Sequence, residues 1–148
     1  MSFEEKSTWI NLAIQLGLGI WYASRIVSKA QTTPVSEISY LGDLVTLVVA
    51  TVVLTIAVTI IVSIFLAGRA AVTGEDLDID RTDERDKTIG RFAGNIGGIV
   101  LALAMLPALG LAVFEFDQFW IAHAMLAGFF VSELATAGVK IVSYRRGF

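Results

Sequence analysis

The chain has 148 residues, of which 55% are hydrophobic and 17% charged, against roughly 45–50% apolar and 25% charged in an average soluble domain. With a mean hydropathy of +0.73, this composition excludes an ordinary water-soluble monomer and points to an integral membrane protein. A net charge of −3 leaves no basic footprint for nucleic acid, and the lack of any Cys excludes a disulfide framework, a CxxC redox pair and a thiolate metal site.

Crossing about 30 Å of hydrocarbon takes roughly 20 helical residues, and four stretches qualify: Trp9–Val27, Leu44–Ala67, Phe92–Phe114 and Phe119–Val139. They predict an all-α fold, a four-transmembrane-helix bundle filling residues 1–148 as a single domain. The first stretch is read as a retained helix and not a signal peptide. The segment before it, MSFEEK, is not positively charged, and Asn11 and Gln15 dilute its apolar core. These two amides lie one turn apart, with Gly19 a turn beyond. They need partners inside the bundle, because an unpaired polar group in hydrocarbon costs several kcal/mol.

Residues 28–43 contain Pro34 and read as a short exposed loop. Helix two then carries Thr51, Thr55, Thr59 and Ser63 at four-residue spacing. Thr55 and Thr59 are candidates for lining a polar path. The competing reading is that each hydroxyl bonds back to the carbonyl four residues earlier.

Residues 68–91 hold seven acids and five bases. Asp76, Asp78 and Asp80 alternate as in a calcium loop, but Arg81 and Lys87 stand where that loop requires Gly and Glu. The segment fits a helix start better: Thr82 as N-cap, Asp83 and Glu84 in the first turn, and Asp83 one turn before Lys87. Helix three is therefore expected to begin near Asp83. Asp83, Glu84, Arg85, Asp86 and Arg91, with Arg145 and Arg146 at the far end of the chain, form a candidate cytoplasmic surface for lipid phosphates or a partner protein.

Helix three repeats Gly90, Gly94, Gly98 and Ala102 every four residues, with Gly97 beside them, and helix four repeats Ala124, Gly128 and Ser132. Small residues let helix backbones approach closely in lipid, where the hydrophobic effect gives no drive between helices. Gly94 and Gly98 are thus expected to face either helix four or a second copy in a homodimer. The link around Glu115–Gln118 is so short that helices three and four should form a tight antiparallel hairpin.

Glu133, near the middle of helix four, is the sharpest feature. A carboxylate at that depth costs on the order of 2.5–3.5 kcal/mol or more and should face the bundle interior or a cavity. One reading makes it a proton carrier. The other makes it structural, bonded to Asn11, Gln15 or a helix-two threonine, or reaching toward Lys140. His123, the single histidine, lies ten residues earlier, about 15 Å along the helix, and reads as an interfacial headgroup neighbour. One His and no Cys exclude a zinc site or bis-histidine haem within one chain, so no metal or cofactor is expected.

Lys6, Arg69, Arg81, Arg85, Lys87, Arg91, Lys140, Arg145 and Arg146 fall on one side of the membrane, against Arg25 and Lys29 on the other. The positive-inside rule then puts both termini and the charged loop in the cytoplasm. Trp21, Tyr22, Tyr40, Phe119 and Trp120 would form the outer aromatic belt, and Trp9, Phe92 and Tyr144 the inner one.

MSFEEKSTWI before the first helix, Thr-Asp-Glu-Arg-Asp-Lys-Thr-Ile at 82–89, and Ser132-Glu133-Leu134 followed by Tyr144-Arg145-Arg146-Gly147 resemble small four-helix prokaryotic integral membrane proteins of unknown function. The resemblance spans nearly the whole chain. It implies the same four-span layout and carries no substrate or reaction. Small multidrug transporters share only the size, since their intramembrane Glu lies in the first helix, where this chain has Asn11 and Gln15.

The sequence offers no nucleophile–base pair or phosphate loop. The expected function is a non-enzymatic component of the cytoplasmic membrane that contacts lipid or a cytoplasmic partner. The alternative is a small proton-coupled transporter or channel using Glu133, built as a homo-oligomer.

Overall fold

The structure, a computed structural model, describes residues 3–73 and 84–146. It contains four long helices, α1 (Phe3–Ala30), α2 (Leu41–Thr73), α3 (Glu84–Val113) and α4 (Gln118–Arg146), and one 3-10 turn at Val35–Glu37. Each long helix has a stretch long and apolar enough to cross a membrane: Ser7–Ala30, Leu41–Ile61, Glu84–Val113 and Gln118–Arg146. All four helices are longer than the apolar runs that signal them; α1, α2 and α4 extend beyond both ends of their runs, and α3 starts eight residues before its run and ends one residue short of Phe114.

The start of α3 shows how its end is stabilised. Glu84 and Asp86 sit in the first turn, against the positive end of the helix dipole, and Lys87 Nζ donates to Glu84 Oε1 at 3.2 Å. Thr82 and Asp83, expected as cap and first-turn acid, lie outside the described residues.

Extensive packing joins α1 to α2, α1 to α4, and α3 to α4. The segment between α1 and α2 is less open than its composition suggests. Ile38 is buried there with Tyr22 and Ile26 of α1, Leu47 of α2 and Phe119 of α4. The polar residues around Ile38 stay outside while its one long aliphatic chain plugs the space between the three helix ends.

The α3–α4 seam is a glycine seam, but not the expected one. Gly90, Gly94 and Gly98 meet nothing within 4 Å. The close approach falls on Gly97 instead, where a Cβ would collide with the Thr136 hydroxyl, and on Gly128, where it would collide with the Met105 methyl. At about 100° per residue, Gly94 and Gly98 stand about 60° and 100° round α3 from Gly97, enough to turn them off the seam. The proximity at Gly97 permits an interhelical hydrogen bond, from Ser132 Oγ to the Gly97 carbonyl at 2.8 Å, in a buried position.

Residues 114–117 carry the chain from α3 to α4. Glu115 has φ 55°, its N–H donates to the Ala112 carbonyl at 3.2 Å, and the Phe116 N–H donates to the Leu111 carbonyl at 3.0 Å. This pair of bonds around one left-handed residue is a Schellman motif, which satisfies carbonyls that the end of a helix leaves open. Asp117 then opens α4, its carbonyl accepting from the Trp120 N–H at 2.9 Å.

Candidate functional site

Glu133 stands midway along α4, opposite Gln15 of α1. Gln15 Nε2 donates to Glu133 Oε2 at 3.5 Å, the long limit for a hydrogen bond. Among the described residues no lysine or arginine pairs with this carboxylate. The side chain is exposed on the protein surface, so its environment is a groove and not a closed core.

Two cavities meet at the Gln15–Glu133 pair. One, of about 110 Å³, is polar and takes in Ser7, Thr8, Asn11, Thr136 and Lys140. The other, of about 210 Å³, is walled by Val48, Thr51, Val52, Leu126, Phe129 and Phe130. The groove follows from how α2 is attached. Its buried contacts with α1 gather near Asp43, where Leu47 packs on Tyr22 and Ile26, and the space beyond Leu47 is left open. A carboxylate has two oxygens and room for several donors, and Glu133 receives one weak bond from a neutral amide.

The structure therefore brings Asn11, Gln15 and Glu133 to one place, as the sequence suggests. It does not bring Thr55 or Thr59 there. Both are exposed, and the hydroxyls of Thr51, Thr59 and Ser63 donate at 2.8 Å to the carbonyls of Leu47, Thr55 and Thr59. Back-bonding to residue i−4 accounts for Thr51, Thr59 and Ser63, and of the four Thr51 alone reaches the groove wall.

A second polar cluster closes the opposite end of the α1–α2 pair, and sequence reasoning passed over its centre. Asp43, 8% exposed, accepts from Arg25 Nε at 2.9 Å and from Lys29 Nζ. Lys29 also donates to the Ser39 carbonyl at 2.7 Å. Arg25 and Lys29 lie one turn apart on α1, a forked pair of cations that signals an acid on the neighbouring element. Beside them, His123 Nδ1 lies 2.6 Å from the Phe119 carbonyl and Nε2 lies 2.9 Å from the Tyr22 hydroxyl. A carbonyl can only accept, so Nδ1 carries a proton, and Nε2 shares its hydrogen bond with the Tyr22 hydroxyl, which can donate or accept. His123 is thus tied within the protein, bridging α1 and α4 through Tyr22.

The third cluster gathers at the end where α3 begins and α4 ends. Phe92 and Arg146 border one cavity of about 560 Å³ between the two helices. Glu84, Arg85, Arg91, Arg145 and Arg146 are exposed and Asp86 is half-buried. The Arg145 guanidinium stands over the Trp9 ring at 5.8 Å from its centroid, which anchors the end of α4 to α1. Asp83 lies outside the described residues. Comparison of the chain with protein-family models, with curated proteins and with solved structures gives no match.

Proposed function

We propose that the chain is a non-enzymatic, multi-pass component of the cytoplasmic membrane, with both termini inside and α3 and α4 as a tight antiparallel hairpin, that works by contact with lipid or a cytoplasmic partner. The observation that carries this reading is the collection of Arg85, Arg91, Arg145 and Arg146 around one end of the α3–α4 pair. A juxtamembrane basic cluster attracts anionic headgroups by roughly 1 kcal/mol per residue. The asymmetric distribution of Lys and Arg supports the orientation, and the pairing of Gly97 with Thr136 and of Gly128 with Met105 supports the hairpin.

The test is native mass spectrometry of the protein taken from membranes containing both anionic and zwitterionic phospholipid. The wild type should retain anionic lipid preferentially, and an Arg91→Gln, Arg146→Gln double variant should lose that preference. Equal retention of both lipids by the wild type, with no co-isolating protein, would overturn the reading.

A second reading, a small proton-coupled transporter or channel acting as a homo-oligomer, is favoured by the open groove at Glu133. Under it, Glu133→Gln abolishes pH-driven flux in liposomes while the fold persists. The exposed face of Gly94 and Gly98 is where a second copy would seat.

A further inference from the structure

The groove beside Glu133 joins two properties: a carboxylate midway along an apolar helix, and an apolar-walled cavity against it. A carboxylate held in low dielectric without a cation is costly. Arg25 and Lys29 remove that cost for Asp43. Nothing equivalent does so for Glu133, whose one partner is the Gln15 amide. Lys140 shares the polar cavity, but it lies seven residues along α4, about 10 Å of rise, and makes no ion pair with Glu133.

We propose that this groove is a binding site for a small hydrophobic monocation, a protonated amine with a compact apolar body. The ammonium lies on the Glu133 carboxylate and the body fills the space between Val48, Val52, Phe129 and Phe130. The inference rests on the reading that the chain crosses the membrane with Glu133 at mid-depth. Charge sets the sign and number, because Glu133 is the one charged side chain on the wall of the apolar cavity and selects a single positive charge. The walls set the rest. A hydrated metal ion takes six or more oxygen ligands, whereas the 210 Å³ cavity offers mainly aliphatic and aromatic carbon. Its volume is roughly that of seven waters in the liquid, the scale of one aromatic ring with a short amine tail.

The test uses the full chain in nanodiscs of zwitterionic phosphatidylcholine, where no lipid charge attracts the probe, with radiolabelled phenethylammonium as that probe. The wild type should bind it saturably, and the neutral analogue 2-phenylethanol should bind at least tenfold more weakly. Glu133→Gln should weaken phenethylammonium at least tenfold, with circular dichroism confirming that the variant is folded. Val48→Trp, which fills the apolar part and leaves the carboxylate untouched, should weaken it by a similar factor. That second variant decides the matter if Glu133→Gln does not fold. Uptake that is unsaturable, equal for the cation and the alcohol, or unchanged in the folded variants would overturn the proposal. Side-selective labelling of Ser36→Cys and Thr82→Cys in proteoliposomes tests the membrane reading separately. If Ser36→Cys reacts from outside and Thr82→Cys only after permeabilisation, while phenethylammonium binding is absent, the cation site alone is wrong.

Discussion

The α3–α4 seam and the α1–α2 side hold their helices together by opposite means. Along the seam, Gly97 and Gly128 bring backbones so near that a hydroxyl on α4 bonds a carbonyl on α3. On the other side, α2 is fastened at one end by the charges around Asp43 and stands away from α1 and α4 beyond Leu47, leaving the groove at Glu133. A seam closed by van der Waals contact along its length leaves no room for a ligand. A pair closed at one end makes a cleft, and the placement of charge in that cleft becomes a functional matter.

The largest test of this contrast is Gly97→Leu. A side chain there has nowhere to go, since even a Cβ meets Thr136, and overpacking typically costs about 1–3 kcal/mol. With the Ser132 bond also displaced, a loss at the upper end of that range is expected in denaturant titration in detergent. A loss below about 0.5 kcal/mol, within the scatter of ordinary surface substitutions, would mean that the seam is not closed as described.

Asp43→Asn should come next. It leaves Arg25 and Lys29 facing a neutral amide, so hydrogen exchange should rise at the start of α2 and in residues 31–40 while α3 and α4 stay protected. Uniform loosening of all four helices would show that the charged end is not a local fastening.

Gly94→Leu should have the smallest effect. It faces open space in the single chain, and replacing Gly with a good helix former changes stability by less than about 1 kcal/mol, in the favourable direction. A marked loss, together with a smaller particle by light scattering, would instead seat a second copy on that face.

The four helices were legible because a long run of apolar residues has one economical solution in lipid, a helix that satisfies its own backbone. Glu133 was legible for the converse reason, as an acid where acids are costly, and Asn11 and Gln15, amides that need partners in hydrocarbon, stood among the candidates to meet it. Which glycine makes the seam was not legible. Gly94, Gly97 and Gly98 all satisfy the spacing for close approach, and only the rotation of α3 about its axis chooses among them. Asp43 escaped notice because its meaning depends on α2 being laid against Arg25 and Lys29, a tertiary fact. Thr55 and Thr59 were less legible, since periodic hydroxyls look the same whether they line a path, bond to their own helix as Thr59 does, or stand exposed as Thr55 does.

Those hydroxyls have a mechanical consequence for α2. With Thr46, Thr51, Thr59 and Ser63 bonded to their own helix, the polar ties from the described side chains of α2 to a neighbouring helix are those of Asp43 at its foot, the pivot about which a tilt of the rod would turn. Thr51 stands eight residues from that pivot, about 12 Å along the axis, so a tilt of about 10° shifts the groove wall by about 2 Å. The aperture beside Glu133 is thus geared to the angle of a single lever, and a strut between α2 and α4 farther out would set its width.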